Sequence, residues 1–94
     1  MQAPFDLPED FNVYHAEDTL EALKAWLRDS GLAPGALLPI SAAKVMEMDG
    51  TGMQLLASLC NSGYRLRIVD ASRKFVEALE TTGHMHWLGE EAAA

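Results

Sequence analysis

Asp49-Gly50-Thr51-Gly52 places a carboxylate, a hydroxyl and two residues without side-chain bulk just before the apolar run Met53-Gln54-Leu55-Leu56. A polar turn that opens onto a helix leaves the first backbone N–H groups without intrahelical partners. The aligned peptide dipoles add about half a positive charge there. Such a spot suits a carboxylate, a phosphoryl group or the acidic side chain of a partner. Thr51 and Gln54 have the Thr-x-x-Gln spacing of a capping box, which predicts a helix starting at Thr51 or one residue earlier. Asp49 has two roles open to it: bonding the N–H groups of its own turn, or orienting a partner. Thr51 is either a cap or a phosphoryl acceptor, and phosphorylation would add about −1.5 to −2 charges beside the helix N-terminus. Gly50 and Gly52 either permit close backbone approach or supply positive φ. Neither the full phosphate-loop pattern nor Gly-x-Gly-x-x-Gly is present, which disfavours a nucleotide site.

The other reactive side chains form no constellation. His84 and His86 lie two apart and would share one face of a strand, but no Cys or carboxylate completes a ligand set, so no metal is expected. Cys60, on the apolar side of its helix, reads as a small core residue rather than a nucleophile. It is the only cysteine, which excludes an internal disulfide and implies a reducing, cytoplasmic setting. Without a nucleophile–base pair, neither an enzyme nor a cofactor is expected. Fourteen acids against seven bases give a net charge of −7, which argues against nucleic acid or an anionic membrane surface as partner. No apolar run approaches the ~20 residues that span a bilayer. The segment Met1-Gln2-Ala3-Pro4-Phe5-Asp6 lacks the basic and apolar regions of a signal peptide.

The elements that must position the Asp49 turn follow from periodicity. Residues 1–10, with Pro4, Pro8 and three acids, read as a short flexible arm ahead of a domain over 11–89. Phe11-Asn12-Val13-Tyr14 has strand character. Asp18 precedes Glu21 at capping-box spacing, and Ala16, Leu20, Leu23 and Leu27 follow at helical spacing, widened by Trp26. Gly31 and Pro34 end this helix. Ala36–Ile40 reads as a buried strand, with Pro39 tolerable only where pairing is ending. The helix from Thr51 to about Asn61 is apolar over a wide arc. Tyr64, Leu66 and Ile68 then alternate on one face of a strand. Ser72 caps a last helix that turns Phe75, Val76 and Leu79 inward and closes at Gly83. Residues 90–94 form an acidic, Ala-rich tail. Strands alternating with helices imply an α/β fold with crossover connections, in which sites form at strand carboxyl ends beside helix N-termini. The Asp49–Gly52 turn lies at such a place. Leu55, Leu56, Leu66, Ile68 and Leu79 are expected in the core.

In order and spacing these pieces resemble a STAS domain, the fold of anti-sigma factor antagonists and sulfate transporter tails. The family signature is an apolar strand, a Ser-containing loop, then Asp-Ser/Gly-Ser/Thr/Ala-Gly-Leu-x-Leu-Leu. Here it reads Leu37-Leu38-Pro39-Ile40-Ser41, then Met48-Asp49-Gly50-Thr51-Gly52-Met53-Gln54-Leu55-Leu56. Gly63 to Val69, Ser72, Leu79 and Gly83 are similar to the family as well, and the likeness covers roughly residues 11–89. Val13-Tyr14-His15-Ala16 before a Leu-rich helix resembles a branch of bacterial single-domain STAS proteins, some of them found in chemotaxis gene clusters.

The resemblance implies a small mixed, mostly parallel sheet flanked by helices. It also implies a non-enzymatic regulator of bacterial signal transduction. Ser41, Asp49, Gly50, Thr51 and Met53 would contact a histidine-kinase-like ATPase, such as an anti-sigma factor or a signalling kinase. Two alternatives are a STAS subunit of a bacterial phospholipid ABC transporter, bound to its ATPase, and a small nucleotide-binding protein. In switchable antagonists the residue directly after the motif Asp is a phosphorylated Ser or Thr. That position is Gly50 here, which leaves Thr51, one residue on, as the candidate phosphosite. Self-association is left open.

Overall fold

The sheet is built around a central strand whose buried Leu38 and Ile40 lie opposite Leu66 and Ile68 of a later strand. In the computed structural model, which describes residues 3–88, the elements run β1 (Phe5–Asp6), β2 (Asp10–Phe11), α1 (Ala16–Ser30), β3 (Leu37–Ala42), β4 (Glu47–Met48), α2 (Gly50–Asn61), β5 (Arg65–Ala71) and α3 (Arg73–Thr82). A short 3₁₀ helix, Met85–Leu88, follows. β1, β3 and β5 form a three-stranded sheet with β3 in the middle, and β2 and β4 form a separate pair. Every strand pairing among the described residues is parallel, so helices make the crossovers. The described residues thus form a small α/β domain with a parallel sheet and three α-helices. No helix among the described residues is long and apolar enough to cross a membrane.

Side-chain alternation fixes the register. Leu38 pairs with Leu66 and Ile40 with Ile68, so the apolar sets of both strands share one face. Leu38 and Ile40 are fully buried and join Leu56, Leu59, Phe75 and Leu79 in one core. Of the five residues expected in the core, Leu56, Ile68 and Leu79 are buried, while Leu55 and Leu66 pack against it half-buried. Beyond Ile40 the register shifts so that Ser41 faces Asp70 and Val69 is the extra residue. Pro39 sits inside β3 opposite Arg67, yet β1 pairs only with Ile40 and Ser41. Leu7 N–H reaches the Ser41 carbonyl on the β1 side, and backbone direction repeats every second residue. The missing N–H of Pro39 therefore faces the side of β3 where pairing with β1 has not begun.

Three expectations are corrected. Residues 3–10 are no arm: they hold β1, start β2 and bury Leu7 at 1 % exposure. Residues 1–2 and the tail at 90–94 lie outside the described residues. Of Phe11–Tyr14 only Phe11 is strand; the chain then turns at Asn12, whose side chain bonds local backbone as Asn does in turns. Helix α1 starts at Ala16, ahead of Asp18, and no side chain caps it. Its stripe is also only partly covered: Leu23 is buried, Trp26 and Leu27 are half-buried, and Leu20 is exposed. A groove of about 700 Å³ runs between α1 and α2, lined by Leu20, Leu23, Leu27, Leu55, Leu59 and Tyr64 among others.

Candidate functional site

The start of α2 is positioned by two short strands. Phe11 pairs with Met48 and Asp10 with Glu47, so the chain leaving β2 and the chain leaving β4 emerge side by side. The first turns into α1 and the second into α2. Asp49 stands at the junction with extended backbone, φ −123° and ψ −174°. Its Oδ1 accepts from the N–H of Thr51 at 2.9 Å and of Gly52 at 3.2 Å. Its Oδ2 accepts from Val13 N–H at 3.1 Å, across 36 residues of chain. Partial burial pushes the Asp49 carboxyl up, but N–H donation from Val13, Gly52 and Thr51 outweighs it and holds the group below its ordinary value. The carboxylate caps α2 and ties its entry to the neighbouring turn.

That turn is hydrogen-bonded throughout. Asn12, only 5 % exposed, donates through Nδ2 to Glu47 Oε1 at 2.8 Å. Its Oδ1 accepts from Tyr14 N–H at 3.1 Å and lies 3.1 Å from His15 Nδ1. Thr19 Oγ1 donates to the His15 carbonyl at 2.8 Å, which secures the first turn of α1. The capping box expected at Asp18 and Glu21 does not form, since both residues lie inside a helix that starts at Ala16.

The five predicted contact residues divide. Asp49, Gly50, Thr51 and Met53 come together in the first turn of α2, but only Gly50 is exposed and Thr51 is half-buried. Met53 is buried, and its N–H bonds the Asp49 carbonyl at 3.2 Å. Ser41 is buried at the end of β3, where its carbonyl accepts from Leu7 and its hydroxyl from Ala43 at 3.5 Å. Ser41 is thus part of the β1–β3 junction. The helix begins at Gly50 and its cap is Asp49, so the Thr51–Gln54 capping box is superseded. Neither Gly50 nor Gly52 has positive φ. Gly52 is needed for close approach, since a Cβ there would stand 2.7 Å from the Phe11 carbonyl oxygen. A Cβ at Gly50 would meet nothing within 4 Å.

Beside Gly50 a cleft of about 320 Å³ opens between α2 and α3, floored by Met48 and Met53 and edged by Lys74, Glu77 and Thr81. Lys74 and Glu77 lie 3.9 Å apart, both well exposed, and add little to stability. Elsewhere, burial pushes the Cys60 thiol up, away from the thiolate that a nucleophile requires. His84 and His86 are not on a strand. His84 precedes the 3₁₀ helix and packs on Trp87 with ring centroids 4.6 Å apart, because the chain turns back at Gly83. Among the described residues no group of three or more His, Cys, Asp or Glu could hold a metal ion.

Val13 and Tyr14 were concealed by the strand reading of residues 11–14. Asn12, a turn-former between two apolar residues, was the signal that marked them as a turn. Comparison with known proteins gives no matching family model, no matching curated protein and no matching solved structure.

Proposed function

We propose that this chain is a non-enzymatic STAS-type regulatory module that docks a partner protein on the entry of α2. The partner class, taken from the resemblance in the sequence, is an anti-sigma factor or a signalling-kinase ATPase, met in the cytoplasm. The observation that carries the reading is the division of labour in one helical turn. The Asp49 carboxylate is fully engaged in holding the entry rigid, while Gly50 stands open to solvent directly beside it. A rigid, open helix entry at the end of a parallel strand pair is suited to a protein contact, because little conformational freedom is lost on docking. The engaged Asp49 and the raised Cys60 thiol favour binding over chemistry.

The turn has no hydroxyl at Gly50, and Thr51 is half-buried on the side of the α1–α2 groove. The surface therefore docks its partner in the unmodified state. A charge placed on Thr51 sits at a helix N-terminus, which tolerates an anion, so the fold survives. At an interface the same charge is desolvated and unpaired. The test is a pull-down from native lysate with wild-type and Thr51→Asp baits, read by mass spectrometry with a search for phosphate on Thr51. The expected result is a partner recovered by wild type and lost at least tenfold with Thr51→Asp, a change of about 1.4 kcal/mol. Equal recovery by both baits would make the turn purely structural.

A further inference from the structure

We propose that Tyr14 is the anchor of the docking surface, and that its partner offers an apolar pocket ringed by basic side chains. This rests on the reading of the α2 entry as a docking site and names what that site recognises. Tyr14 is 86 % exposed and Val13 56 %, so both present apolar surface to water within a turn bonded directly to Asp49. Exposed side chains on a mobile loop would carry little meaning. Here the backbone beneath them is held at four points. Val13 N–H is bound by Asp49, Tyr14 N–H by Asn12, His15 N–H by the Asn12 carbonyl, and Asn12 itself by Glu47.

A buried asparagine and a helix-capping aspartate thus converge on a turn whose Val13 and Tyr14 side chains stand mostly in solvent. Rigid presentation of an aromatic with two χ angles lowers the ordering cost of association, and tyrosine is enriched among residues that dominate interface energy. Charge identifies the partner. Four exposed carboxylates neighbour the turn along the chain or on the paired strand: Asp10 and Glu47 on the β2–β4 pair, Glu17 and Asp18 in the first turn of α1. No Lys or Arg lies between Pro8 and Glu21. An apolar knob with acidic neighbours is complementary to an apolar pocket with a basic rim, and the match would steer association and weaken it with salt. A second copy of this chain, with net charge −7, would set the same acids against themselves.

The experiment places a benzophenone photocross-linker at position 14 of the full chain in cells of its source, with position 80 on α3 as control. A protein cross-linked from 14 is purified and titrated against wild type, Tyr14→Phe and Tyr14→Ala. The account expects an adduct from 14 and none from 80. It expects near wild-type binding by Tyr14→Phe, at least tenfold loss with Tyr14→Ala at unchanged melting temperature, and several-fold weakening between 0.05 and 0.5 M salt, values on the order of those that span strong and weak screening. No adduct from 14, an adduct to a second copy of this chain, equal labelling from 14 and 80, or equal binding by Tyr14→Ala would each overturn it. If Thr51→Asp weakens the captured complex tenfold while Tyr14→Ala does not, the docking site stands and the Tyr14 anchor falls.

Discussion

The inward and outward sides of the α2 entry obey opposite rules although they share one helical turn. Gly52 looks inward at the Phe11 carbonyl, where any Cβ must displace backbone. Gly50, two residues earlier, faces open space. Met53 is buried and Asp49 is held by its N–H donors, whereas Tyr14 projects into water. The inward set fixes the shape of the surface and the outward set is free to read a partner. Substitutions on the two sides should therefore move different observables.

The largest effect belongs to the layer beneath the entry. Leu56, fully buried on the inward face of α2, should lose about 2–5 kcal/mol of stability as Leu56→Ala in urea unfolding. Gly52→Ala comes next, at about 1–3 kcal/mol, because the added methyl is opposed by backbone rather than by a flexible side-chain end. A Gly52→Ala protein as stable as wild type would dissolve the distinction between the two sides.

A smaller, pH-dependent effect distinguishes Asp49. Its folded-state carboxyl is held below the ordinary value by N–H donors, with partial burial opposing them. Its contribution to stability is therefore complete above the ordinary carboxylate value and is lost as pH falls below it, through the lower folded-state value. The difference in melting temperature between wild type and Asp49→Asn should shrink on acidification from pH 7 to pH 3 or so. A constant difference would mean that the charge of Asp49 plays no part. The smallest stability effect is expected at Gly50→Ser, within about 0.5 kcal/mol, since nothing crowds that position. Incubated with ATP and the recovered partner, Gly50→Ser becomes phosphorylated only if that partner is an active kinase.

Long-range periodicity was readable where a whole face is buried. Leu38 and Ile40 against Leu66 and Ile68, the Ser72 cap and the Gly83 stop all express patterns several residues long. β1 and β2 are two residues each, too short for any period, so Phe5 and Leu7 gave no sign of their pairing and burial. The Asp18–Glu21 spacing suggested a cap that does not form, because the helix already starts at Ala16, ahead of both residues. At the site, the Asp-Gly-Thr-Gly turn marked the helix entry correctly. Ser41 and Met53 are buried rather than on its surface, because a motif orders residues along the chain without saying which side of the sheet or helix each one faces. Tyr14 was invisible for a related reason: its place beside Asp49 depends on a hydrogen bond spanning 36 residues.

The most direct test of the central claim is to map the interface on the folded protein. Isotope-labelled chain titrated with the partner recovered by the wild-type bait should show amide signals of Val13, Tyr14, Gly50 and Thr51 moving first and furthest. Those of Leu37 and Arg65, on the solvent side of the sheet, should stay in place. Shifts centred on Leu37 and Arg65, with the α2 entry unmoved, would contradict the account.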